Sequence, residues 1–190
     1  ELNESNRLMI FDKIFMDVFV YSIEEIKAEQ KIQGRSADYV LSINDVDAVV
    51  VEAKKAGMPL RHKQIFQATS YGAYSGIKWV LLTNLVTWQL YHISTQDRVD
   101  ANLVFSIDVL PNANQDDLER LVFISRYWME QKSALDKLYN EIKALSYESI
   151  IGAILTEDVI NKIRLVIKRD TGCDIDNAVI QNTVEKILNI

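Results

Sequence analysis

The sequence predicts a mixed α/β domain, a sandwich of αβββαβ order, followed by a helical C-terminal extension. Three observations predict it. Apolar residues first recur at helical spacing, then fall into three short strand-like runs, and then give way to a helix and further strand-like runs. The second helix must therefore cross over between strands of one sheet. At LPNANQDD the pattern changes, and beyond Pro111 nearly all of it is helical.

Each element has its own reason. From Asn6 to Ser22, Leu8, Ile10, Phe11, Ile14, Phe15, Val18 and Phe19 share one helical face, with Glu4 placed near the start where a carboxylate suits the helix dipole. EIKAEQKI from Glu25, ADYVLSI from Ala37 and AVVVEAK from Ala48 read as strands, with QGRS and NDVD supplying turns between them. Pro59 precedes a segment without alternation, Leu60 to Ser75, which reads as a helix whose Ala68, Gly72, Ala73 and Gly76 allow close packing. WVLLTN from Trp79, TWQLYHI from Thr87 and LVFSIDV from Leu103 are further strand candidates. In the extension, one helix is expected from Asp116 to Ala144 and two shorter ones at about Glu157 to Arg169 and Asp176 to Leu188, with Gly172 and Asp176 as caps. The expected domains are residues 1–110 and 111–190.

The 190 residues hold one sizeable core, with 48% hydrophobic and 25% charged residues, as in an ordinary globular protein. No apolar run is long enough to span a bilayer, so no membrane partner is expected. The first residues show no cationic-then-apolar order of a signal peptide, and the single Cys173 suits a reducing cytoplasm. Two histidines, His62 and His92, are too few and too far apart for a zinc site. A formal net charge of −6 argues against coating nucleic acid by bulk electrostatics, so any such contact is local. Lys54, Lys55, Arg61, His62 and Lys63 form the one dense basic cluster.

The chemistry centres on the second and third strands. Glu52 and Lys54, two apart in the third, project from one face, and Asp38 in the second converges on them if the two strands are neighbours. Phosphodiester hydrolysis needs hard oxygen ligands for a divalent ion, a positioned water and a cation beside the developing negative charge. Two carboxylates and a lysine can supply these, although a lone Glu-x-Lys is also what an exposed strand end with an ion pair looks like.

The stretch ADYVLSINDVDAVVVEAKKAG resembles the PD-(D/E)xK nuclease superfamily, and within it the N-terminal nuclease domain of type I restriction enzyme R subunits. Ala37 stands at the proline of the superfamily's name. Glu4 and Arg7 resemble the family's E-x-x-R in helix one, Gln67 and Tyr71 its Q-x-x-x-Y, and TNLVTW its TNG-x-x-W, with Leu85 in place of glycine. The resemblance implies a restriction-endonuclease-like fold and a DNA endonuclease with Mg²⁺ or Mn²⁺ as cofactor. It implies Asp38, Glu52 and Lys54 as catalytic residues, Glu4 as a third metal ligand, and Gln67 and Tyr71 as supporting or DNA-contacting groups. No G-x-x-x-x-G-K-[ST] loop is present, so an ATP-driven motor or a specificity partner would be a separate part. The extension's Leu121, Trp128, Leu135 and Ile142 suit either self-association or packing on the core. The alternative to a nuclease is a non-catalytic nucleic-acid or protein interaction module on the same fold.

Overall fold

The computed structural model describes residues 4–95, 98–111, 113–131 and 133–190, with the side chains of residues 4–7 and of His62 outside the description. It divides into two compact units, Glu1–Tyr139 and Asn140–Ile190.

The first unit is built on a six-stranded sheet in chain order: β1 (Ile26–Ile32), β2 (Arg35–Ile43), β3 (Val46–Ala53), β4 (Trp79–Thr83), β5 (Thr87–Ser94) and β6 (Asp100–Asp108). Each neighbouring pair is antiparallel except β3 and β4, which run parallel with Val49 opposite Trp79 and Ala53 opposite Thr83. A parallel pair cannot be closed by a hairpin, and the crossover is made by α2 (His62–Ser75). That helix covers one face of the sheet. Ala68 and Tyr71 pack there with Val40, Val50, Val80, Leu82 and Ile93.

The other face is covered by α1 (Glu4–Lys13) and the π-helical turn Ile14–Val18 that continues it. Phe11, Phe15 and Phe19 are buried there, and their rings meet Tyr39 and Trp88 of the sheet. The Tyr39 hydroxyl donates to the Leu8 carbonyl at 2.9 Å. Central strands carrying cover on both faces must be apolar throughout, which is why β4 reads WVLLT with every residue buried.

Beyond the sheet, the single helix expected from Asp116 to Ala144 is three: α3 (Gln115–Val122), α4 (Arg126–Glu130) and α5 (Ala134–Ala144). Ser125, which interrupts the apolar repeat, is the N-cap of α4. The break lets Arg126 reach back, its backbone N–H to Phe19 O at 2.8 Å and its guanidinium to Glu25 at 3.0 Å. Leu121 and Leu135 are buried within this chain. At the start of α5, Asp136 accepts from Lys78 and Tyr139 stacks on His92 at 4.2 Å. The second unit contains α6 (Tyr147–Ile154), α7 (Glu157–Thr171) and α8 (Asn177–Leu188), with α6 absent from the expected elements. There Asp174, in the link between α7 and α8, pairs with Lys168 and Arg164, and the hydrogen bond from Lys168, helped by both positive charges, holds its carboxyl below the ordinary carboxylate value. Among the described residues no helix is long and apolar enough to cross a membrane.

A Cβ at Gly72 would sit 2.9 Å from both the Ile77 carbonyl oxygen and Val80 Cγ2. Gly72→Ala is expected to cost about 1–3 kcal/mol through overpacking. Gly152→Ala, where an added Cβ meets nothing within 4 Å, is expected to be neutral or to stabilise by up to about 1 kcal/mol. Urea unfolding followed by far-ultraviolet circular dichroism checks this, and equal losses at the two positions would contradict it.

Burial pushes the Tyr21 hydroxyl, which donates to Ile124 O at 2.8 Å, well above its ordinary value of 10, and the Glu25 charge adds to the effect. Tyr71 and Tyr91 are also raised by burial. An acid with a raised folded pKa contributes stability that is complete below its unfolded value and is lost as pH climbs above it. Unfolding midpoints are therefore expected to hold steady to about pH 9 and fall beyond about pH 10. In Tyr21→Phe the alkaline fall is smaller, from a starting stability lower by about 1 kcal/mol. An alkaline fall unchanged by Tyr21→Phe would contradict the assignment.

Candidate active site

The site forms where β2 and β3 end their pairing. On β3, Val50 faces α2, and alternation carries Glu52 and the following Lys54 to that same side. Because β3 is buried on both faces, Glu52 is only 1% exposed. A carboxylate so placed needs a charged or hydrogen-bonding partner, since desolvation otherwise costs several kcal/mol. Lys54 provides it: its ammonium donates to Glu52 Oε1 while its side chain keeps 19% exposure. The pair thus joins a buried anion to a cation at the solvent boundary.

Asp38 reaches the same place from β2. It is half-buried, and its Oδ2 accepts the Ala53 backbone N–H at 2.8 Å, the N–H of the peptide that joins Glu52 to Ala53. The two carboxylates therefore flank one peptide unit, on adjacent strands whose register sets Tyr39 against Val51. The backbone N–H of Lys54 donates to Thr83 O at 2.7 Å, which carries the β3–β4 pairing one residue past the strand and fixes where the lysine departs.

The turn after β4 supports this arrangement. Asn84 is buried; its Oδ1 accepts from the N–H groups of Val86 and Thr87, and its Nδ2 donates to Met58 O at 2.7 Å. One side chain thus holds the β4–β5 turn and the segment that follows Lys54. Leu85 adopts φ +70°, the left-handed conformation that favours glycine, so the residue that departs from TNG-x-x-W accepts the turn's strain without abolishing the turn. Asn84 as a positioning group was visible in the sequence only as part of that motif.

Other expected site residues are placed less directly. Gln67 is exposed on α2. Tyr71, four residues on, is buried in the apolar layer beneath the helix, and the charges acting on its hydroxyl are Asp47 and Lys27. Glu4 and Arg7 fall in α1, but their side chains, like that of His62, lie outside the described residues.

The donor set suits a hard ion. Mg²⁺ is commonly held by one or two carboxylates, with water and substrate phosphate completing an octahedron, and Asp38 and Glu52 with the acidic oxygen chemistry they supply fit that demand. Among the described residues no group of three His, Cys, Asp or Glu side chains that could hold a metal ion is assembled, so the donors described here are the two carboxylates of Asp38 and Glu52.

Comparison with known proteins gives the family of the chain. No curated protein matches the chain. Among solved structures it resembles the type IIG restriction endonuclease BpuSI, at 16% identity and a TM-score of 0.36, over 70% of this chain and 16% of that one. The family model for the type I restriction enzyme R protein N terminus matches residues 7–111, which include β1 to β6, α2 and the Asp38, Glu52 and Lys54 cluster. On that match the chain belongs to the type I restriction enzyme R protein N-terminal family.

Proposed function

We propose that the chain is a metal-dependent DNA endonuclease whose centre is Asp38, Glu52 and Lys54. The observation that carries the reading is the buried Glu52 with Lys54 on its Oε1 and Asp38 on the adjoining peptide N–H. A fold seeking stability alone gains little from a buried carboxylate here, because an apolar residue of similar size would be at least as stable. A site that must hold a cation and act on an anion needs it.

Asp38 and Glu52 would hold the ion, here Mg²⁺ or Mn²⁺; Glu4, the third ligand that the resemblance implies, begins the helix on the other face of the sheet and would have to reach round the ends of β2 and β3. What that ion supplies, when bound, is neutralisation of the scissile phosphate and a lower pKa for the attacking water. Lys54, at the solvent boundary, places a positive charge where the phosphate's negative charge grows and orients the nucleophile. Gln67, exposed on α2, is assigned to the DNA backbone, and Tyr71 supports the helix from beneath. Sequence selection is assigned to a motor or specificity partner, since no base-reading element is evident in the sequence.

Supercoiled plasmid is expected to be nicked or cut when Mg²⁺ or Mn²⁺ is added, and EDTA is expected to stop it. Glu52→Gln and Lys54→Ala are each expected to lower the rate by at least about a hundredfold. Arg98→Ala, which removes an exposed ion pair with Asp100, leaves the rate unchanged. Equal cutting by all preparations would assign the activity to a contaminant. Absence of cutting by the native chain would favour a non-catalytic interaction module on the same fold.

A further inference from the structure

Helix α2 presents an unusual outer stripe. Lys63, Phe66, Ser70 and Tyr74 recur at helical spacing along it and span about 16 Å. Phe66 is 74% exposed and Tyr74 52% exposed, although both are large apolar groups on a helix whose inner face is well packed. Arg35 of β2 lies over the Tyr74 ring, its Cζ 3.5 Å from the centroid. Phe66, Ser70 and Tyr74 line a groove of about 550 Å³ together with Arg35, Tyr91 and Val99.

The charge pattern around the stripe is as uneven as its polarity. Between Glu52 and Asp97 the sequence contains no Asp or Glu, while it carries Lys54, Lys55, Arg61, Lys63 and Lys78. Within this acid-free segment Lys54 and Lys78 pair with Glu52 and Asp136, so the cations set beside the rings are Lys63 on α2 and Arg35 on β2. The helix begins eight residues after Lys54, so the stripe starts close in sequence to the proposed centre.

From these features we infer that the outer face of α2 binds an unpaired DNA strand, with its bases stacked on Phe66 and on the Arg35-backed ring of Tyr74. Exposed rings interleaved with cations and a hydroxyl are the arrangement that single strands recognise: rings take the faces of bases, and cations follow the phosphates. Ser70 stands between the two rings, Lys63 lies three residues before Phe66, and Arg35 lies over Tyr74, so each ring has a cation near it for a phosphate. A base-paired duplex keeps its base faces stacked internally and cannot use Phe66 in this way. The inference deepens the DNA-hydrolase reading, on which it rests for the identity of the ligand, and narrows its substrate to DNA with a single-stranded segment near the cut.

Binding of the full chain to a labelled oligodeoxythymidine strand, and to a duplex of the same length, is measured by fluorescence anisotropy at low salt in EDTA, so that no strand is cut. Phe66→Ala and Phe66→Leu are each expected to weaken strand binding by at least about fivefold, whereas Phe66→Trp retains it. All three are expected to bind the duplex within about twofold of the native chain, since its bases are already stacked. Phe66 is exposed, so none of these changes threatens the core. Native-like strand binding by Phe66→Ala would overturn the inference. So would native-like strand binding by Phe66→Leu, which would mark a merely apolar contact, or failure of the native chain to bind the strand. The expected pattern in a chain that cuts no DNA would leave the strand-binding face standing and remove the catalytic reading.

Discussion

The parallel pairing of β3 with β4 is the constraint on which the rest of this structure depends. It forces a crossover, the crossover places α2 on one face of the sheet, and α1 with its π-helical turn covers the other. From Val49 to Ala53 strand β3 is then buried on both faces, and a charged residue on that stretch is deprived of water. Glu52 is such a residue. Its burial explains why Lys54 must follow it on the same face, and why the hydrogen bond from the Ala53 N–H to Asp38 ties the neighbouring strand to the same point.

The apolar layers that cost Glu52 its solvent also give the cluster its rigidity. Gly72 lets α2 approach the Ile77 carbonyl and Val80 closely, Asn84 joins the β4–β5 turn to Met58, and Phe11, Phe15 and Phe19 fix the opposite face against Tyr39 and Trp88. They determine where the strands that bear the carboxylates can lie, which is what a centre requiring ligands at fixed distances demands.

Much of this was legible in the sequence because periodicity reports burial directly. The six strands and α2 follow from alternation or from apolar runs bounded by turn residues. Asp38, Glu52 and Lys54 were recognisable because positions two apart share a face of a strand. Glu52's near-complete burial was not legible, since it depends on what covers β3 rather than on β3 itself. The division of 115–144 into three helices was obscured because the apolar positions resume beyond Ser125 at similar spacing, so the interruption reads as one polar residue in a long helix rather than as the N-cap of a new one. Helix α6 was hidden by its shortness and by Gly152 within it. The depth of Tyr71 and the exposure of Phe66 and Tyr74 depend on how α2 is rotated over the sheet, and a Gln- and Ala-rich segment does not fix that rotation.

The claim at the centre of this account is that Asp38 and Glu52 form one divalent-cation site closed by Lys54. Calorimetric titration of the chain with Mn²⁺ tests it most directly, because it needs no DNA and no turnover. One Mn²⁺ per chain is predicted, with binding abolished in both Asp38→Asn and Glu52→Gln and tightened in Lys54→Ala, which releases Glu52 from its competing cation. Binding that survives either carboxylate substitution, or an absence of binding to the native chain, would contradict it.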